Sequence, residues 1–398
     1  MPRWADVLLV PVISLVLAAL LSGLVILAIG ENPWTALKVM VVGSVGSTYA
    51  WGYTLYYATN FIFTGLAVAV AFHARIFNIG GEGQAAIGGL GVALVALYIP
   101  WPHWSLALIG AIVAAALFGA AWAAIPAWLQ AKRGSHIVIT TIMFNFIAAA
   151  LLNYLLVGPL KPKGTMETAT AMFPDPTHVP SFRDMFSTGE TILFRGTPAN
   201  VTFFVAALTC VAVWILVFRT RLGYEIRAFG FSEGAARYAG IGSTKIIMVA
   251  MLASGGLAGM MAINTTLGYS ERLIMGAVEG AGFIGIAVAL MGRSHPLGVF
   301  LAAILFGILY QGGGELGLVM GIPREMILVI QALVIMFTGA LDNMVRTPVE
   351  MLFALGRRAP PPQTPMGPAG PTIPSPEAVA HPGALPATHP ATPPTTAA

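Results

Sequence analysis

The chemistry that this chain could perform lies in a few polar side chains inside long apolar runs. Asn145 lies between two phenylalanines, one of them Phe144, and Asn153 follows about two helical turns later. Asn60 also has phenylalanine neighbours. An amide can both donate and accept hydrogen bonds, and a phenyl face can stack on a ring. We predict that these four residues contact a polar, ring-bearing solute, with an interhelical hydrogen bond as the alternative for Asn145.

Glu82 is the most costly of the polar residues, because a carboxylate at the centre of a bilayer costs about 2.5–3.5 kcal/mol on insertion scales. It lies in the stretch FNIGGEGQ at 77–84, a few residues after Arg75. The glycines of this stretch permit an irregular backbone where a helix begins. Asn78 and Gln84 could join Glu82 there in a hydrogen-bonded cluster that holds this start of the helix. We favour this structural role and keep direct solute contact as the alternative. Two further polar residues, Asn264 and Glu279, are candidates for lining an outer entrance.

Motifs for other kinds of chemistry are missing. The sequence has no G-x-x-x-x-G-K-[ST] loop, no H-E-x-x-H and no G-x-S-x-G. Its seven histidines are scattered, and its single cysteine, Cys210, allows neither an intrachain disulfide nor a cysteine metal site. We therefore expect no catalytic residue, metal or cofactor in this chain.

The composition places these residues in a membrane. Of the 398 residues 57% are hydrophobic and 9% are charged, and the mean hydropathy is +0.82. Soluble domains carry about 25% charged residues. The sequence thus predicts an all-α, polytopic membrane protein in contact with the lipid bilayer.

Apolar runs of spanning length predict about ten transmembrane helices. Two of them, Gly280 to Met291 and Leu297 to Gln311, flank the turn GRSHP and are each shorter than a comfortable span, which indicates a tight hairpin. The other expected spans are 7–29, 53–72, 80–99, 104–130, 136–157, 201–218, 246–267 and 325–343.

The distribution of Lys and Arg predicts that both termini lie in the cytoplasm (N-in/C-in). The expected inner loops hold most of the basic residues, whereas the long outer loop 158–200 holds four. The sequence divides into a transmembrane domain, 1–345, and a Pro/Ala/Thr-rich tail, 359–398, predicted to be disordered and cytoplasmic.

Glycines at fourth-residue spacing indicate close helix contacts. Gly255 with Gly259, and Gly276 with Gly280, form G-x-x-x-G patterns that let helix backbones approach. Such contacts serve either a moving interface or ordinary packing.

The longest inner loop, 219–245, is unusually rich in charge for this chain. Within it, SEGAARYAG is compatible with a short helix capped by Gly240. A short amphipathic helix of this kind can bind a groove on a soluble partner. The alternative is a basic loop that only fixes the topology.

Four stretches, taken in order, resemble one family. They are FNIGGEGQ (77–84), TTIMFNFIAAALLNYLL (140–156), RAFGFSEGAARYAGI (227–241) and GFIGIAVALMGRSHPLG (282–298). Over residues 5–345 the chain resembles permease subunits of bacterial ABC importers, in the branched-chain amino acid and simple-sugar permease superfamily, and within it the nucleoside (guanosine-type) branch.

The resemblance implies a multi-pass protein of the bacterial cytoplasmic (inner) membrane that takes up nucleosides by alternating access. Its implied partners are ABC ATPase subunits that bind ATP-Mg, a second permease that is identical or related, and an extracytoplasmic binding protein or lipoprotein; nucleic acid is not among them. The alternatives are import of simple sugars or another small polar solute, or an ion-driven secondary transporter.

The same resemblance makes the inner loop the coupling site for the ATPase. Relatives often read E-A-A-R-Y-A-G, whereas this chain has Gly234 at the Glu position and Glu233 one residue earlier. The implied coupling residues are Arg227, Glu233, Gly234, Ala235, Ala236, Arg237 and Gly240.

Overall fold

The computed structural model describes residues 9–187, 193–337 and 351, and within them the regular elements are helices. The described residues also contain two isolated antiparallel β-bridges, one between Ala169 and Ile274 and one between Ser181 and Asn200. The α-helices of the described residues are α1 (Val10–Ala28), α2 (Pro33–Val45), α3 (Thr48–His73), α4 (Gly81–Tyr98), α5 (Trp104–Arg133), α6 (Ile137–Val157), α7 (Phe182–Phe186), α8 (Thr202–Arg219), α9 (Arg221–Phe231), α10 (Glu233–Tyr238), α11 (Ser243–Met260), α12 (Ala281–Met291), α13 (Pro296–Met320) and α14 (Arg324–Ile335).

Local sequence signals mark where these helices begin and end. Asn32 caps α2 by accepting from the backbone of its first turn, and Ser47 caps α3 in the same way. The left-handed backbone of Gly134 ends α5, and that of Gly321 ends α13. The boundaries therefore follow from cap residues that stand beside apolar runs.

The prediction of an all-α membrane protein is confirmed. Among the described residues, six helices are long and apolar enough to cross a membrane, or up to seven if one bent pair is a single span. That pair is Val16–Ala28 and Pro33–Val45, which meet at 118°. The count of ten spans and the N-in/C-in orientation stay predictions.

Three expectations about elements were wrong. The segment 33–45 lies between two predicted spans and was given no helix, but it forms α2, which packs against α13. The second arm of the predicted hairpin is the 25-residue α13, about 38 Å long and sufficient to cross a bilayer. Gly276 and Gly280 serve turns rather than helix contacts, because both have positive φ and open space where a Cβ would lie.

The centre of the bundle is α3, which is buried along most of its length. Around it, α5 and α11 make the most extensive contact between two helices. A Cβ on Gly259 would lie 2.2 Å from the carbonyl oxygen of Ala115, and one on Gly119 would lie 2.3 Å from that of Gly255. The close approach predicted for the pair Gly255 and Gly259 is confirmed, and α5 is its partner.

Two predicted regions fall on residues that the structure does not describe. The tail 359–398 lies wholly outside the described residues, and so does the end of the predicted last span, 338–343. The described helices belong to one compact unit, Met1–Glu350.

Candidate functional site

A cluster of hydrogen-bonded amide side chains holds the start of α4. The Asn78 amide donates to Oε1 of Gln84 at 2.9 Å and to Oγ of Ser254 at 2.8 Å, and its Oδ1 accepts from the Gly80 N–H. The Ser254 hydroxyl in turn donates to the carbonyl of Ala67. These bonds tie α3, α4 and α11 together and confirm the structural interpretation of Asn78 and Gln84.

Glu82 joins α4 to α12. Its two carboxylate oxygens accept from the backbone N–H groups of Gly280 at 2.9 Å and Gly282 at 3.0 Å. The start of α12 has no side-chain cap of its own, and it meets the start of α4 where Gly282 lies against Gly81. Two helix N-termini, each with unpaired N–H groups and a partial positive charge, thus converge on one acidic side chain.

Asn145 on α6 holds the same helix start from another side. Its Nδ2 donates to the carbonyl of Ile79, and its Oδ1 accepts from the Gly83 N–H, both at 2.9 Å. An amide nitrogen carries two hydrogens, so one Nδ2 hydrogen is left for another partner. Asn145 is therefore a structural residue that retains one free donor among the described contacts.

Glu82 and Asn145 also line a cavity of about 110 Å³. This is room for several water molecules or for one compact group of a solute. Its walls come from α4, α6, the π-helical segment Ile263–Leu267 that follows α11, and the chain from Leu273 to Val278. Two of the predicted solute contacts are thus brought together at one cavity.

The sequence reasoning missed the polar residues on the opposite wall of the cavity. Thr265 and Thr266 lie in the π-helical segment and are buried. The hydroxyl of Thr266 makes no hydrogen bond within the described residues. Only the local backbone distinguishes these two threonines from the many others in apolar runs. Their residue type and spacing therefore could not predict that they line a cavity.

Asn60 lies away from this cavity, in a polar network between α3, α8 and the π-helical segment. Its Oδ1 accepts from Nδ2 of Asn264 at 2.7 Å. Oδ1 of Asn264 accepts from Asn200 and from the hydroxyl of Thr202. Asn264 is completely buried among these partners, so the prediction that it lines an entrance was wrong.

The other two predicted contacts also lie outside the cavity lining. Phe144 meets Trp122 edge to face, with ring centroids 5.4 Å apart, and its carbonyl accepts from the Trp122 indole. Asn153 is exposed on the surface of α6. The structure therefore does not bring Asn60, Phe144 and Asn153 to the cavity that Glu82 and Asn145 line.

The segment that walls the cavity is clamped by the long loop that follows α6. The Thr170 N–H donates to the Leu273 carbonyl, and the Leu273 N–H donates to the Thr170 hydroxyl, both at 3.0 Å. An ion pair between Arg272 and Glu167 flanks this contact. The loop thus fixes one wall of the cavity from outside the bundle.

A second candidate surface lies at the opposite end of α11, where α9 and α10 form a short helical unit. Ile226, Phe229 and Ala236 of this unit pack in an apolar cluster with Ala71, in the last turn of α3, and with Ile76, which follows that helix. A Cβ at Gly230 would lie 2.1 Å from the carbonyl of His73, so α9 touches the α3 backbone directly. The unit is attached firmly to the bundle.

The predicted coupling residues divide into two groups. Ala236 is buried against the bundle, and the half-buried Arg227 places its guanidinium 5.3 Å from the Phe218 ring. Arg237 bonds to Glu233 and to the Ser243 hydroxyl. The remaining coupling residues are exposed, namely Glu233, Gly234, Ala235, Arg237 and Gly240.

Charged and aromatic side chains cover the exposed face of this unit. Tyr238 is 97% exposed and Phe231 is 81% exposed. Glu225 accepts from Lys245 at 3.0 Å and from Arg221 at 3.2 Å, and the Lys245 ammonium holds the pKa of Glu225 below its usual range. A surface of exposed aromatics with fixed charges is typical of a protein–protein contact.

Comparison with known families gives one match to most of the helical region. Residues 50–339 match the model described as branched-chain amino acid transport system / permease component. No solved structure matches the chain.

Three curated relatives are similar over most of their length. The guanosine ABC transporter permease protein NupP of Bacillus subtilis is 35% identical over 84% of this chain and 93% of its own length. The nucleoside ABC transporter permease protein NupB of Lactococcus lactis is 32% identical over 83% and 90%. The glucose ABC transporter permease protein TsgB13 of Haloferax volcanii is 34% identical over 82% and 86%.

Proposed function

We propose that this chain imports nucleosides. The premise is that it belongs to the family of branched-chain amino acid transport system permease components. The chain is an ABC transporter permease and a multi-pass inner membrane protein. The similarity to a guanosine and a nucleoside permease, over more than four fifths of the chain, carries the choice of solute.

In this proposal the chain performs no covalent chemistry. ATP-Mg is bound and hydrolysed by separate ATPase subunits, which dock on the exposed face of α9 and α10. The firm attachment of this unit to α3 and α11 supports the assignment, because a displaced docking element must move the bundle with it. Binding and release of ATP then switch the helices between outward-open and inward-open packings.

Two further partners complete the proposed importer. A second permease, identical or related, pairs with this chain in the bilayer, and an extracytoplasmic binding protein or lipoprotein delivers the solute. Within this chain we propose Glu82 and Asn145 as solute contacts, because they line one cavity and Asn145 keeps a free donor.

Import of a simple sugar is the second candidate. The relative from Haloferax volcanii carries the name of a glucose permease and is as similar to this chain as the two nucleoside permeases are. Both solutes are uncharged and rich in hydroxyl groups, so the same lining suits either one.

Uptake by the complete complex tests the proposal. The permease, its partner permease, the ATPase and the binding protein are reconstituted in vesicles and given labelled nucleosides, sugars and amino acids in turn. We expect ATP-dependent uptake of a nucleoside that unlabelled nucleosides suppress and hexoses do not. ATP-dependent uptake of a hexose alone would instead establish the sugar permease.

A further inference from the structure

We infer that the cavity between α4 and the π-helical segment is a subsite for a hydroxyl group of an uncharged solute. Thr266 is its hydrogen-bonding partner, and Glu82 closes the same cavity to anions. The inference rests on the proposed function, which makes the chain a carrier of small polar solutes, and adds where and how a part of that solute is held.

Thr266 is a buried residue whose hydroxyl lacks a hydrogen-bond partner among the described residues. It is 1% exposed and lines the cavity, yet its hydroxyl makes no hydrogen bond within the described residues. Two other buried threonines, Thr64 and Thr209, do have acceptors, because they donate to the carbonyls of Asn60 and Val205. A buried hydroxyl without a partner is unfavourable, so a group that enters the cavity gains by pairing with it.

The backbone explains why this hydroxyl is free. A threonine inside an α-helix usually donates to the carbonyl four residues earlier, as Thr64 and Thr209 do. Around Thr266 the backbone bonds instead link residues five apart, from Gly268 to Ile263 and from Ser270 to Thr265. This π-helical geometry is frequent at functional sites, and here it leaves the buried Thr266 hydroxyl without an acceptor in its own helix, at the wall of the cavity.

The charges around the cavity select the class of solute. None of the described residues that line it is Lys or Arg, and Glu82 is acidic. The N–H groups of Gly280 and Gly282 at the start of α12, which could have attracted an anion, already donate to Glu82. The carboxylate of an amino acid or the phosphate of a nucleotide would therefore be buried without a cation, which is strongly unfavourable.

The spacing of the polar groups shows that the cavity has two polar ends. A Cβ on Gly89 would lie 3.3 Å from Oγ1 of Thr266, so this hydroxyl faces α4 at Gly89. Gly89 and Glu82 are two turns of α4 apart, about 10 Å along the axis. A solute hydroxyl can reach Thr266 while a donor elsewhere on the same solute faces Glu82.

The test combines Thr266→Val, which removes the hydroxyl and keeps the shape, with solute analogues that each lack one hydroxyl. Thr209→Val is the control, because Thr209 is also buried but bonds to its own helix away from the cavity. Uptake of each labelled analogue is measured with the complete complex in vesicles, with one binding protein throughout. The preference of that binding protein cancels when the two permeases are compared.

We expect the unaltered complex to take up one deoxy analogue about tenfold less efficiently than the parent solute, which corresponds to about 1.4 kcal/mol. Thr266→Val should abolish this discrimination by slowing the parent solute, and Thr209→Val should keep it. Equal discrimination by Thr266→Val and the unaltered chain would overturn the inference, since the hydroxyl would then serve only the fold or a bound water.

The outcome is separable from that of the proposed function. If nucleosides are imported and Thr266→Val changes nothing, the subsite fails and the nucleoside importer stands. If hexoses are imported instead, the nucleoside assignment fails, and deoxyhexoses should show the same dependence on Thr266. Import of amino acids as the main solute would contradict the subsite outright.

Discussion

Asn145 is the residue at which the fold and the proposed solute contact meet. It satisfies a carbonyl and an N–H of the irregular start of α4, and it also lines the cavity. Leucine at this position has a similar volume but no polar atoms. The two backbone groups would then be buried without partners, at a cost of about 1–3 kcal/mol each.

Asn145→Leu is therefore expected to lower the thermal stability of the purified chain as well as its transport. Thermal unfolding in detergent should occur several degrees below that of the unaltered protein. Phe146→Leu is the matched control, because Phe146 is the neighbouring residue but is exposed on α6. An unchanged unfolding temperature for Asn145→Leu would show that the two backbone bonds contribute little.

Residue type alone predicted part of this site. Asn145 and Glu82 are conspicuous because amides and carboxylates are rare in apolar runs, and both do line the cavity. Asn60 carries the same signal but is paired with Asn264, since hydrogen-bond partners depend on which helices meet. Thr266 carried no signal, because only the π-helical backbone frees its hydroxyl.

At the scale of elements, the contact between the starts of α4 and α12 brings two helix N-termini together. It requires glycine, because a Cβ on Gly282 would lie 2.2 Å from the backbone nitrogen of Glu82. Moving the helices apart to relieve this clash would also break the bonds from Gly280 and Gly282 to the Glu82 carboxylate.

Gly282→Ala is accordingly expected to reduce uptake at least tenfold and to destabilise the chain. Gly314→Ala is the control, since Gly314 is exposed inside α13 and an added methyl group there meets nothing within 4 Å. That control should be neutral or slightly stabilising, as Gly-to-Ala changes in helices usually are. Normal uptake by Gly282→Ala would mean that the close contact is dispensable.

The helical unit of α9 and α10 supports a separate prediction about docking. Tyr238 is almost fully exposed and makes no structural demand on the bundle, so Tyr238→Ala should weaken co-purification of the ATPase while leaving thermal stability unchanged. Tyr154→Ala is the control, because Tyr154 is an exposed tyrosine near the far end of α6. Equal ATPase recovery from both variants would exclude Tyr238 from the docking surface.

Apolar runs predicted most of the spanning helices because hydropathy decides their existence. The predicted 104–130 and 136–157, for example, match α5 and α6 closely. The helix α2 was missed because it has 13 residues, fewer than a span requires, and contains Lys38. The length of α13 was missed because three glycines and Glu315 interrupt its apolar run, although its backbone stays helical through them.

At the scale of the whole molecule, the two candidate sites lie on one continuous scaffold. The cavity is walled by α4, α6 and the segments after α11, and the helical unit of α9 and α10 is bound to α3 and α11. The close α5–α11 contact and the Asn78–Ser254 bond connect these helices rigidly. In the proposed function, a force applied by the ATPase at α10 reaches the cavity through α11.

The central claim is that ATP hydrolysed by a partner drives solute through this chain, and uptake with and without the ATPase tests it most directly. Vesicles carrying the complete complex are compared, at a constant ion gradient, with vesicles that lack the ATPase or contain no ATP. We predict uptake only when the ATPase and ATP are both present. Undiminished uptake by the permease without them would contradict the account and establish an ion-driven transporter.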